Sequence, residues 1–226
     1  VDMTCEGAGI TQDTRLLGNQ SNNTVTVQGG DTTIAAVYGG LSTHNATGNS
    51  VTLNGSSSVN TVSGGFGGRS SGDVTVTDNS VTFNDGSSGG SVYGGMGQSD
   101  GSGDVTITGN SVTFNDSSSV SRLYGGFGTS YNLGSVDVTV TGNSVTFNGS
   151  SSVHTVYGGS SVSYGSGDIT VTGNSVTFNG GSNSGDVYGG SGYGSGDVTV
   201  TGNTVNIHDN AKITDNLYGA FIENRG

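Results

Sequence analysis

Residues 104–115 read DVTITGNSVTFN, and their alternation decides the fold. Val105, Ile107, Val112 and Phe114 are separated by Thr106, Thr108, Ser111 and Thr113, with a Gly109-Asn110 step in the middle. A period of two sends apolar and polar side chains to opposite faces of an extended chain, so the stretch reads as two half-buried strands. Near copies recur along the sequence. The phrase NSVTF or a variant begins at Asn23, Asn49, Asn79, Asn110, Asn143, Asn174 and Asn203, at intervals of 26, 30, 31, 33, 31 and 29 residues. A second phrase, YGG or a variant, begins at Tyr38, Ser63, Tyr93, Tyr124, Tyr157, Tyr188 and Tyr218. It follows the first by 14 residues in five repeats and by 15 in two, so variation in length falls in the stretch after YGG.

A third apolar group precedes each Tyr, as in Val120 and Leu123 or Val153 and Val156. The pattern predicts an all-β chain: a parallel β-helix, or β-solenoid, of about seven coils with roughly 30 residues and three short strands each. Stacking at about 4.8 Å pairs every strand with its copies above and below. Gly-Asn between alternating runs is also a hairpin signal, which would set Ile107 against Val112. Recurrence of the same residues favours the solenoid, because an isolated hairpin is marginal whereas ladders between coils reinforce one another. Residues 1–22 depart from the repeat and are expected to form an N-terminal cap or assembly segment, a short helix or an irregular plug, ahead of a seven-repeat solenoid over residues 23–226.

Composition agrees with this reading. Of 226 residues, 45 are Gly, none is Pro or Trp, and 27 Val stand against 7 Leu, which favours pleated surfaces over helices. Five Lys and Arg against 17 Asp and Glu leave a net charge of -12, too few cations to neutralise a phosphate backbone, so nucleic acid is excluded as a partner. No apolar run approaches the roughly 20 residues of a membrane helix, and membrane insertion is not expected. Cys5 is the only cysteine, so disulfides within the chain are not its staple.

The tandem phrases, GDVTVTGNSVTFNG or its variants followed by VYGG, resemble those of bacterial surface adhesins and autotransporter passenger proteins. The resemblance covers about residues 23–220. It implies a secreted β-helix used as a stalk, adhesin or surface fibre, extracellular or at the cell surface, and brings no catalytic residues with it. With neither a signal peptide nor a C-terminal membrane barrel in the sequence, a processed passenger, a fragment and an independent secreted subunit are the three forms it suggests.

Few residues carry recognisable chemistry. His44, His154 and His208 lie in unrelated contexts, none at a catalytic spacing from a Ser, Cys, Asp or Glu, so the chain is not read as an enzyme. A carbohydrate-binding or glycan-cleaving β-helix is an alternative that rests on fold analogy. Asp73, Asp104, Asp137, Asp168 and Asp197 each precede the NSV Asn by six residues and form one column in a solenoid. Neighbouring carboxylates about 4.8 Å apart repel by roughly 0.9 kcal/mol in water. Either a row of Ca2+ ions or turn capping by each Asp through its own backbone N–H groups moderates that repulsion, and capping is the favoured reading.

Other columns follow from the register. Asn54, Asn84, Asn115, Asn148 and Asn179 predict an amide ladder, and the sequons that begin at Asn54, Asn115 and Asn148 are read as turn chemistry. Tyr93, Tyr124, Tyr157 and Tyr188, with Tyr38 and Tyr218, predict a stack of rings; sugar binding is the alternative use of such a column. Leu41, Phe66, Met96, Phe127 and Phe221, three residues on, predict a return to the core. Thr-x-Thr pairs from Thr75 and Thr77 to Thr199 and Thr201 predict a wet-face grid, with ice binding as its functional alternative. The loop of residues 128–135, with Tyr131, is the expected contact surface for a partner, and host or surface glycans are a partner class considered for the chain as a whole. Finally, Ile10, Leu16 and Leu17 at one end and Leu217, Phe221 and Ile222 at the other are the candidate assembly residues of a head-to-tail homopolymer.

Overall fold

A computed structural model of the chain describes residues 2–6, 15–17, 21–28 and 33–224. Val112 lies level with Val81 and Val145, and Ile107 with Val76 and Val140, all in parallel pairings. The hairpin contact of Ile107 with Val112 is therefore absent, and the repeats stack as a β-solenoid of about six full turns, each of about 31 residues.

Three sheets run along the axis. The first, here the Phe sheet, stacks strands such as Ser80–Phe83, Ser111–Phe114 and Ser144–Phe147, and has eight strands among the described residues. The Thr sheet has six, among them Val74–Thr77, Val105–Thr108 and Val138–Thr141. The Tyr sheet holds the long segments Ser88–Ser99, Ser119–Ser130, Ser152–Ser163 and Asn183–Gly194. These are twelve residues each rather than the short strands expected, because the chain stays paired to its neighbours through the Gly pair. The seven starts from Asn23 to Asn203 bound six complete coils, and among the described residues the seventh repeat adds strands to the Phe and Tyr sheets but none to the Thr sheet.

That corner is made by the Gly-Asn step. Gly109, Gly142, Gly173 and Gly202 have φ of 64 to 66°, a left-handed conformation that costs glycine little, and Asp78 takes the same role with φ 54°. The turn drives the next residue, Asn110 or its equivalent, into the interior, where Asn79, Asn110, Asn143 and Asn174 are wholly buried. Across the coil each meets a glycine. A Cβ built on Gly95 would lie 2.5 Å from the Asn110 side chain, and one on Gly126 would lie 2.6 Å from Asn143. The second Gly of YGG is thus the seat of the Asn amide.

Seated there, the Asn column divides the interior in two. Between the Phe and Tyr sheets lies one apolar column containing Val112, Phe114, Val120 and Leu123; along the Thr sheet lies another containing Val105, Ile107, Val138 and Val140. Gly97, Gly128 and Gly192 let the far half of the Tyr sheet close on that second column, for a Cβ on Gly128 would lie 2.6 Å from Val138.

Two further expectations change. Residues 2–6 and 15–17 are neither helix nor plug: they are strands that continue the Phe and Tyr sheets, with Thr4 level with Thr26 and Leu16 level with Val37. The positions after YGG do not return to the core. Leu41 is 38% exposed, and Phe66, Met96, Phe127 and Phe221 are half-buried on the outer face, because both glycines of the pair turn inward and reset the alternation.

Candidate functional site

The chemistry of this chain lies in columns. The predicted amide ladder is present: Asn84, Asn115, Asn148 and Asn179 each donate through Nδ2 to Oδ1 of the preceding Asn, at 2.8, 2.8, 3.0 and 3.0 Å. A second ladder, unforeseen from the sequence, is the buried Asn column at the Thr–Phe corner. There the donation runs the other way, from Asn23, Asn49, Asn79, Asn110, Asn143 and Asn174 to Oδ1 of the next Asn, at 2.7 to 2.9 Å. Each of these Oδ1 atoms also accepts the backbone N–H of the preceding Asn, at 3.0 to 3.1 Å. The signal that could have revealed it was the presence of Asn at the head of every NSVTF variant. Phe83, Phe114, Phe147 and Phe178 form a third column, fully buried, with ring centroids 4.6, 5.1 and 4.7 Å apart.

Tyr93, Tyr124, Tyr157, Tyr188 and Tyr218 stack at 5.1, 4.8, 4.6 and 5.0 Å with rings within 12° of parallel. Tyr38 stands apart, since Ser63 replaces the next rung and Tyr38 meets Phe66 edge-on at 6.0 Å. The rings cover one another's faces. Within the ladder only their edges and hydroxyls reach the surface, so a sugar has no internal ring face to stack on. Burial raises the phenol pKa of Tyr93, Tyr124, Tyr157 and Tyr188, with Tyr124 shifted most and its neighbours Tyr157 and Tyr93 adding to the effect.

Outside the Thr sheet, three columns share one face. Thr75, Thr106, Thr139, Thr170 and Thr199 lie level, as do Thr77, Thr108, Thr141, Thr172 and Thr201. The Asp column borders them. Asp73, Asp104, Asp137 and Asp168 each accept, on Oδ1, the backbone N–H of the Asp one coil on, at 2.8 to 3.1 Å, the last donor being Asp197. Each therefore caps the next coil's turn rather than its own. This engages one oxygen of each carboxylate and leaves the other facing solvent. Among the described residues no three His, Cys, Asp or Glu side chains converge as metal ligands would.

Exposed apolar side chains concentrate in two places. One is the last coil, where Ile207 is 42%, Leu217 51% and Ile222 49% exposed. The counterparts of Ile207 and Leu217 one coil earlier, Phe178 and Val187, are fully buried. Phe221 instead packs edge-on against Tyr188 and Tyr218, at 5.7 and 5.6 Å. At the other end Leu16 and Leu17 belong to a strand of the Tyr sheet, and Ile10 lies outside the described residues. The second place is a corner after the Tyr sheet, where Tyr131 and Tyr164 stack at 5.5 Å while 53% and 52% exposed, beside Leu133 at 80%. The expected contact loop begins there, since residues 128–130 belong to the strand. No known protein family, curated protein or solved structure matches the chain.

Proposed function

We propose that this chain is a stiff, non-enzymatic rod of an extracellular fibre or surface stalk, extended by head-to-tail stacking of copies. The stacking edge of a coil carries the reading, as the coil of residues 203–224 presents it. Its inward positions Val205, Ile207 and Leu217 lie level with the buried Val176, Phe178 and Val187 one coil earlier, and the next coil of a solenoid is what such positions bury against. Among the described residues the strand Thr204–Ile207 pairs with Ser175–Phe178 alone, and Asp2–Glu6 with Thr24–Gln28 alone. A second copy that lays its Asp2–Glu6 strand on Thr204–Ile207 continues the Phe sheet in the same parallel sense, and a contact of this kind does not close into a ring. Stiffness has a separate support, since amide and ring ladders tie each coil to the next. Extracellular placement draws on the resemblance to surface adhesins. Electron microscopy at rising protein concentration tests the proposal: uniform unbranched filaments are expected, shortened by Leu217→Asp, and a protein that stays monomeric refutes the head-to-tail contact.

The Thr grid favours a second reading, a face that orders water and binds ice. Its two columns hold register through five coils. Thermal hysteresis is the measurement, and its absence together with absent recrystallisation inhibition removes this reading.

A further inference from the structure

We propose that the corner formed by Gln98, Asp100 and Tyr131 is a binding site for one neutral hexopyranose ring of a glycan. It is independent of head-to-tail assembly, because it lies mid-rod and uses none of the last-coil residues.

The ring platform comes first. Tyr131 and Tyr164 occupy equivalent places in successive coils, the residue after Ser130 and the residue after Ser163, and those serines pair level. Their rings stack within 13° of parallel, which spends one face of each on the other. The remaining face of Tyr131 turns toward the preceding coil, whose equivalent residue is Asp100. Backbone pairing fixes that relation: Tyr131 N–H donates to the Ser99 carbonyl at 3.0 Å, just as Tyr164 N–H donates to that of Ser130 at 3.1 Å. Unlike the long Tyr ladder, this two-ring stack therefore leaves one face of Tyr131 uncovered by a further ring, consistent with its 53% exposure.

Polar groups of the preceding coil hold the places level with Thr129 and Tyr131, in a fixed arrangement. Gln98 Nε2 donates to Asp100 Oδ1 at 2.8 Å, which orients both side chains and leaves Asp100 Oδ2, Gln98 Oε1 and the second Gln98 N–H for another partner. A pyranose presents an apolar C–H face and a rim of hydroxyls that both donate and accept. Laid on Tyr131, it places C–H groups against the ring and hydroxyls against this pair. An apolar protein surface on the same spot would strip water from Asp100 and Gln98 without replacing its hydrogen bonds, which is costly. The net charge of -12 selects neutral sugars over anionic ones.

The corner is also built rather than loose. Asn132 Nδ2 donates to the Gly101 carbonyl at 2.6 Å, its Oδ1 accepts the Gly134 N–H at 2.7 Å, and the Ser135 and Ser166 hydroxyls meet at 3.2 Å. These contacts lash the loop of one coil to the coils on either side, holding Tyr131 in place before a ligand arrives.

The test titrates the full chain with maltotriose, cellotriose and mannotriose, following tyrosine ring resonances by NMR, with sialyllactose as the anionic control. Saturable shifts of the Tyr131 ring with at least one neutral trisaccharide are expected, weakened tenfold or more by Tyr131→Ala and by Asp100→Ala, with melting temperature unchanged. Leu133→Ser should keep the response. No saturable shift with any neutral probe, a response to sialyllactose alone, or full binding by Asp100→Ala overturns the site. So does a concentration-dependent dimer that Tyr131→Ala dissociates in a protein blind to sugars, because the patch then joins copies. If Tyr131→Ala does not fold, exposed Asp100 supplies the same test alone.

Discussion

Asn143→Ala should be among the most damaging single substitutions in the rod. Asn143 is fully buried and donates through Nδ2 to Asn174 Oδ1 at 2.9 Å, with the Thr141 and Ile107 carbonyls at 3.1 and 3.2 Å. Its Oδ1 accepts from Asn110 twice, the backbone N–H at 3.0 Å and Nδ2 at 2.9 Å. Truncation deletes both roles. It leaves the Asn110 backbone N–H buried without its acceptor, and opens a space above Gly126. A net hydrogen bond contributes about 1 kcal/mol and an orphaned buried group costs about 1–3 kcal/mol, so the loss should reach about 3–5 kcal/mol. Asn115→Ala is the control. Its amide is half-buried and makes one ladder bond on each side, at 2.8 and 3.0 Å, so about 1–2 kcal/mol is expected. Urea denaturation compares the two, and amide hydrogen exchange around coils four and five shows whether the damage stays local, as expected for a chain of nearest-neighbour coils. An Asn143→Ala protein within about 1 kcal/mol of Asn115→Ala would refute the assignment of the inner ladder as the stronger tie.

Gly126→Ala drives a methyl into the Asn143 amide and should cost about 1–3 kcal/mol in denaturant, despite replacing glycine in a strand with a better strand residue. Alkaline pH should weaken the rod: the raised phenol pKa values of Tyr93, Tyr124, Tyr157 and Tyr188 mean that the folded state holds its protons more tightly. Their contribution is complete below the ordinary tyrosine pKa near 10 and declines as pH rises above it; unchanged melting up to pH 11.5 (about 1.5 units beyond that value) would contradict this. Melting curves in calcium and in chelator should coincide, since each of four Asp side chains already caps a neighbouring coil; a rise of several degrees with calcium would instead place cations along the column.

What was legible in the sequence is whatever repeats within a strand. Alternation at Val105, Ile107, Val112 and Phe114 specified two faces, and the equal spacing of Asn54, Asn84 and Asn115 behind it specified a ladder. Alternation failed at the Gly pair. Both glycines turn inward there, so Phe127 lands outside, against Tyr124 at 5.0 Å, where a count of odd and even positions puts it inside. The inner Asn ladder escaped notice for a related reason: Gly109-Asn110 has an adequate local explanation as a corner, and the contact that gives Asn110 its role is with Gly95, on the far side of a loop. Those contacts do not keep a fixed spacing. Gly95 meets Asn110, Gly126 meets Asn143, and Gly190 meets Asn203, across intervening loops of different lengths. A seat of this kind holds the register of the coil while the loop above it varies, because the Asn needs only to arrive at its glycine, by whatever path. The longest route, the 33 residues from Asn110 to Asn143, is the one that carries Tyr131, Asn132 and Leu133, so chain length not needed for the ladder is where the surface is free to acquire a binding group.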